Sequence, residues 1–160
     1  MSNLAYARSY KELIVYRKAR LLARDIFELT KTFPREEQFA LTDQVRRSSR
    51  SIGAQIAEAW GKRRYEKHFI SKLTDADGEQ METQHWLGVA YDCGYIKKET
   101  GLTLVSQCEE IGKMLGSMMD KAHIFCRPEA ITALREPDPV YYTSSDLSDF
   151  FISSPSDTDH

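Results

Sequence analysis

Six basic residues stand close together in this 160-residue chain: Arg46, Arg47, Arg50, Lys62, Arg63 and Arg64, with Glu58 the only acid between positions 44 and 64. A guanidinium presents a planar fork of donors that matches phosphate or carboxylate oxygens, so such a concentration is first a candidate polyanion contact. Spacing adds geometry. At about 100° per helical residue, Arg46, Arg47 and Arg50 fall within one arc of about 100°, opposite Val45, Ile52 and Ile56. Like charges at this spacing repel. Their counter-charges must come from phosphates, from a neighbouring subunit, or from carboxylates of another helix. The first source makes a nucleic-acid-binding face; the other two make salt bridges within or between subunits.

Other chemistry is less well supported. Glu82 and His85 form a Glu-x-x-His, which di-metal helical bundles use in pairs, with a Glu from each of two further helices. Asp120 and His123 are a partial second copy, but Ala122 holds the inward stripe there and turns both to its flanks; Glu12 and Glu28 have no evident inward position. His68 and His85 do not share a helix face. Ser48, Ser49 and Ser51 have no nearby His and acid to make a triad. No glycine-rich phosphate loop is present. Cys93, Cys108 and Cys126 are odd in number and form no Cys-x-x-Cys pair, so they read as buried, reduced, small apolar residues. The expectation is a protein that is not an enzyme, with no metal, no cofactor and no small-molecule substrate. A metal-dependent enzyme at Glu82 and His85 remains as a distant alternative.

The elements that position these residues are helical. Val15, Ala19, Leu22, Ile26, Leu29 and Phe33 alternate four and three apart, and Tyr16, Ala23, Phe27 and Thr30 widen that stripe. Leu41, Val45, Ser48, Ile52, Ile56 and Ala59 form a second stripe. Phe69, Leu73, Ala76, Gln80, Thr83, Leu87 and Ala90 form a third, and Leu104, Cys108, Ile111, Leu115, Met118, Ala122 and Phe125 a fourth. The pattern predicts helices over 10–33, 35–60, 64–93 and 99–125, with Pro34 ending the first and Gly61 and Gly94 stopping the second and third. Gly53 costs helix propensity, which a closely approaching backbone would offset. Gln80 and Thr83 need hydrogen-bond partners if buried, most simply on other helices. Four such stripes joined by short connections make an all-α, antiparallel up-down four-helix bundle.

The net charge of −2 conceals a division. Residues 1–126 hold 20 basic and 17 acidic side chains, whereas 127–160 hold 2 and 7, together with four of the five prolines. The second segment reads as a disordered acidic tail. Its Tyr141, Tyr142, Phe150 and Phe151, beside Asp146 and Asp149, are a candidate peptide motif, and the tail can compete with nucleic acid for the basic face. No secretory signal and no apolar run long enough for a membrane span occurs, which points to the cytoplasm.

Several segments together resemble a known family. They are Phe33-Pro34, Glu37 and Leu41; Gln44-Val45-Arg46-Arg47; Ser51-Ile52 through Gln55-Ile56-Ala57-Glu58; Glu82-Thr83-Gln84; and Cys93-Gly94-Tyr95-Ile96. Over about residues 9–125 they resemble the four-helix bundle family named after proteins encoded in intervening sequences of bacterial 23S ribosomal RNA (S23-type proteins). Gln55 stands where that family usually has asparagine, and Ala59-Trp60-Gly61 replaces the usual glycine directly after Glu58. The resemblance implies a cytoplasmic bundle that assembles as a ring, commonly a homopentamer. The accessory variability determinants of diversity-generating retroelements are similar in fold, and they bind nucleic acid and a reverse transcriptase. By that likeness Arg46, Arg47, Arg50, Lys62, Arg63 and Arg64 would meet RNA or DNA. The alternative is a purely structural protein–protein assembly, with the arginines in subunit interfaces and the tail as a peptide motif.

Overall fold

The four apolar stripes become four long helices in the computed structural model, which describes residues 7–127. α1 spans Ile14–Thr30, α2 Leu41–Gly61, α3 Glu66–Asp92 and α4 Lys98–Asp120, followed by a single turn, α5, at Ala122–Phe125. Short 3₁₀ turns occupy Tyr10–Glu12 and Arg35–Glu37. No strand occurs among the described residues. α2 packs against α1 and α3, α3 against α4, and α4 closes more loosely onto α1, giving an antiparallel up-down four-helix bundle. Residues 128–160, which hold the candidate tyrosine and phenylalanine motif, lie outside the described residues, and so does any boundary between bundle and tail.

All seven positions of the expected α3 stripe are buried. Leu22, Ile26, Ile52, Ile56, Phe69, Leu73, Ile111 and Leu115 make the driest part of the core. A polar layer crosses it. Thr83 Oγ1 donates to Ser48 Oγ on α2 at 2.9 Å. Gln80 finds its partners on its own helix instead: Nε2 donates to Asp77 Oδ1 at 2.9 Å, and Oε1 accepts from Gln84 Nε2 at 2.7 Å. α4 admits this network because it carries Gly112, where a Cβ would stand 2.8 Å from Gln80 Nε2. At Gly53 the neighbour is a side chain rather than a backbone: a Cβ there would meet the Tyr16 ring at 3.6 Å, an ordinary contact.

The helix ends differ from the periodicity, each for a local reason. α1 does not begin at residue 10, because Leu13 adopts an extended conformation (φ −65°, ψ 126°) after a 3₁₀ turn capped by Ser9. It ends at Thr30 rather than residue 33. Thr32 Oγ1 folds back onto the Leu29 carbonyl at 2.7 Å, and the residue before Pro34 is disfavoured in a helix. α2 starts at Leu41, six residues later than expected. α2 ends at Gly61, within a residue of the expected stop, though without the positive φ of a glycine cap; among the described residues only Gly94 has positive φ, at 75°, closing α3 as expected. α4 breaks at Lys121 before the turn of α5.

One end of the bundle is tied by Glu37. Its Oε2 accepts the Leu41 N–H at 3.2 Å, which puts a carboxylate on the N-terminus of α2 where Ala40 has no side-chain oxygen to offer. Its Oε1 accepts from the Tyr95 hydroxyl at 3.0 Å, and the Tyr95 ring stands 5.6 Å from that of Phe33. Replacing Glu37 with alanine should remove both acceptors and lower the unfolding free energy by about 1–2 kcal/mol. Urea unfolding followed by circular dichroism measures this, and a midpoint equal to wild type would show that Glu37 ties nothing.

The cysteines are not all buried as the sequence suggests, because Cys93 falls at the solvent-exposed end of α3. Cys93 is exposed, Cys126 half-buried and Cys108 buried, the last with its thiol pushed up to about 12 by burial. A thiol reagent should therefore modify Cys93 in the folded protein and reach Cys108 only after unfolding. Equal labelling rates for the two, read by mass spectrometry of peptides, would contradict this packing. No helix among the described residues is long and apolar enough to cross a membrane.

Candidate nucleic-acid interface

α2 sets the positions of the first three arginines, because its inward face is fixed by Leu41, Val45, Ser48, Ile52, Ile56 and Ala59. Arg46, Arg47 and Arg50 consequently sit away from the core, as their arc requires. Their surroundings are not alike. Arg46 Nε donates to Thr30 Oγ1 of α1 at 2.7 Å, and its guanidinium lies 4.7 Å from the Phe27 ring centre. The Arg50 guanidinium stands 5.5 Å from the same ring, and Lys31 Nζ 4.8 Å. Three cations thus surround one half-buried aromatic ring, a favourable use of the ring's negative faces. Arg47 points outward and reaches only Asp43, loosely, at 3.9 Å. On α3, burial raises the pKa of the Glu79 carboxyl, helped by Glu82 and Asp75, and nearby Arg47 offsets this only in part.

The second basic group lies at the turn between α2 and α3, and one of its members departs from expectation. Lys62 and Arg64 are exposed, but Arg63 is turned inward and only 6% exposed. Its Nε donates to the Trp60 carbonyl at 2.8 Å and its guanidinium stacks 3.5 Å from the centre of the Trp60 indole. Burial lowers its pKa. Arg63 therefore holds the turn together and is not available to a phosphate. The charge it buries is matched to an aromatic face and a carbonyl, the partners that desolvated guanidinium groups require.

The remaining motif residues have structural places. Pro34 opens the 3₁₀ turn before α2, and Leu41 and Ile52 are core. Gln44 and Ser51 are half-buried on α2. Gln55 and Glu58 converge on Lys72 of α3, whose Nζ lies 3.3 Å from Gln55 Oε1, 2.9 Å from Glu58 Oε2 and 3.5 Å from Asp75 Oδ2. The Lys72 hydrogen bond holds the Glu58 carboxyl below its usual range. Gln55, though longer than the usual asparagine, thus keeps a polar contact through its amide oxygen. Glu82 is exposed and accepts from Trp86 Nε1 at 3.0 Å, while Gln84 joins the Gln80 network.

Glu82 and His85 do not join the partial copy on α4. Gln80 of α3 faces Gly112, and Asp120 lies a further eight residues along α4, roughly 12 Å away along the helix axis. No group of three or more metal-ligating side chains converges among the described residues.

From the sequence, Phe27 is placed only in the widened α1 stripe and Lys31 is not singled out, although their spacing of four on the outer flank of that stripe was a usable signal. They extend the basic face from α2 onto α1. Beside it runs a groove of about 340 Å³, floored by Ala19, Gly53 and Ala57 and edged by Tyr16, Arg20 and Arg50. Lys72 was missed as well, since two of its three partners, Gln55 and Glu58, come from a different helix.

Comparison with known proteins bears on this bundle. No curated protein matches the chain. Among solved structures it is similar to a protein of unknown function from the S23 ribosomal protein family of Bacteroides thetaiotaomicron, with 33% identity, coverage of 69% of this chain and 98% of that one, and a TM-score of 0.62. The family model described as 23S rRNA-intervening sequence protein matches residues 11–117. That span takes in α1, α2, α3, the basic face and all but the last three residues of α4, and the chain belongs to the 23S rRNA-intervening sequence protein family.

Proposed function

We propose that this protein is a non-catalytic, homo-oligomeric helical scaffold that binds RNA or DNA through the basic face of α2, alone or together with a nucleic-acid enzyme such as a reverse transcriptase. One observation carries the reading. Arg46, Arg50, Lys62 and Arg64 have no carboxylate within salt-bridge distance among the described residues, and Arg47 has only the loose contact to Asp43. The counter-charges among the described residues therefore leave most of this repelling set unneutralised, and phosphates are a complementary ligand. In this reading the protein works in the cytoplasm and assembles as a ring, a homopentamer by the resemblance drawn above.

A second reading is favoured by a separate observation. Ile14 is 62% and Leu102 60% exposed, and α1 meets α4 only loosely. Apolar surface of this kind suits a subunit interface. If the arginines also face a neighbouring subunit, the protein is purely an assembly module. Salt-dependent binding of a labelled oligonucleotide, measured by fluorescence anisotropy on wild type and on a variant lacking Arg46, Arg47 and Arg50, separates the two. The scaffold reading expects binding that weakens with salt and with the substitutions; an oligomer that breaks apart on the same substitutions while never binding nucleic acid would support the assembly reading.

A further inference from the structure

The turn between α2 and α3 is built differently from the arginine face, and that difference assigns it a ligand form. Tyr65 is 60% exposed and its ring lies 5.4 Å from the His68 imidazole, tilted by 56°. Lys62, Arg64, Lys67 and His68 are exposed around it, with Glu66 the only acid in the segment. An exposed aromatic face with basic residues beside it in the chain offers the two components that a stacked base and its flanking phosphates require.

The turn is also held rigid from beneath. Arg63 is the internal staple, through its 2.8 Å bond to the Trp60 carbonyl and its stacking on the Trp60 indole. The Tyr65 N–H donates to the Lys62 carbonyl at 3.1 Å, and the Tyr65 carbonyl accepts from the N–H groups of His68 and Phe69, each at 3.0 Å. Phe69 is fully buried. Residue 63 thus points into the protein, while Lys62, Arg64 and Tyr65 are presented outward on a backbone fixed at both ends. A preorganised platform loses little entropy on binding.

We propose that this turn is a stacking site for an unpaired base, so that the protein prefers single-stranded nucleic acid to duplex. The inference rests on the nucleic-acid reading above and specifies the form of its ligand. Tyr65 would stack on one base, and Lys62 and Arg64 would contact the flanking phosphates. In a duplex the base faces are already stacked on one another and out of reach of a surface tyrosine. Single-strand binding sites combine these two components, a backbone-tracking cationic surface and aromatic rings that accept any base.

The test is anisotropy with a labelled single strand of about 15 nucleotides and with its duplex, at one fixed low salt concentration. Wild type should bind the single strand more tightly. Tyr65→Ala should weaken single-strand binding by about five- to 150-fold, since one base–aromatic stack contributes on the order of 1–3 kcal/mol, and should leave duplex binding unchanged. Tyr65→Trp should retain the preference. Apart from the tilted contact with the exposed His68 ring, the Tyr65 contacts within the fold are backbone contacts, which the alanine variant keeps, so its circular dichroism should match wild type. Equal affinity for single strand and duplex, or a Tyr65→Ala variant that binds the single strand like wild type, would overturn the stacking site while leaving nucleic-acid binding intact. Absence of binding to either ligand by wild type would overturn the underlying reading itself.

Discussion

Replacing Phe69 with alanine is expected to lower the unfolding free energy by about 3–5 kcal/mol, the range for removing a large aromatic side chain from a core. Phe69 is fully buried, and its ring stacks on Phe125 of α5 with centres 5.6 Å apart and planes 27° from parallel. The position cannot collapse easily. It lies in the first turn of α3, where the backbone is already committed to the α2–α3 turn through the Tyr65 carbonyl. The same substitution at Phe125, which is only half-buried, should cost less. Since a domain's whole stability is on the order of 5–15 kcal/mol, Phe69→Ala removes a large share of it. Chemical unfolding of both variants gives the comparison. A Phe69→Ala cost no larger than that of Phe125→Ala would mean that α5, rather than the start of α3, organises this end of the bundle.

The core was legible in the sequence because burial in a helix repeats with the helical period. The α3 stripe from Phe69 to Ala90 could be written down in advance, and so could the inward face of α2, which in turn placed Arg46, Arg47 and Arg50 outside the core. What escaped depends on single long-range contacts. The start of α2 is set by Glu37 reaching both Leu41 and Tyr95, fifty-eight positions on, and periodicity holds no record of such a pair. Arg63 carries the same charge as its neighbours, yet the Trp60 carbonyl and indole draw it inward; nothing in a run of Lys-Arg-Arg says which member will turn. Phe27 became part of the basic face only because α1 and α2 pack side by side. Gln80 illustrates a partial reading: its burial and need for partners were evident, but its partners proved to be on α3 itself, admitted by the missing side chain of Gly112.

The largest functional effect is expected from replacing Arg46, Arg47 and Arg50 together with alanine. Each arginine that neutralises a phosphate releases counterions from the nucleic acid, which makes log affinity fall against log salt with a slope near −0.9 per neutralised phosphate. Removing three such arginines should make the slope shallower by about 2.7, and near 0.1 M salt the affinity should drop by about two to three orders of magnitude relative to wild type. Stability is a separate matter. Arg46 also donates to Thr30, so the alanine variant gives up a hydrogen bond between α1 and α2. The corresponding triple lysine variant controls for this, because it keeps the charge and the salt slope while dispensing with the planar fork.

The most direct measurement is that salt titration, by fluorescence anisotropy, of wild type and the triple alanine variant on one labelled DNA duplex, to which the slope of about −0.9 per phosphate applies. If Arg46, Arg47, Arg50, Lys62 and Arg64 all meet phosphates, each chain should contribute a slope of about −4.5, and the triple alanine variant should retain about −1.8. No binding by wild type at low salt, or a slope that the three substitutions leave unchanged, would contradict a nucleic-acid-binding face on α2.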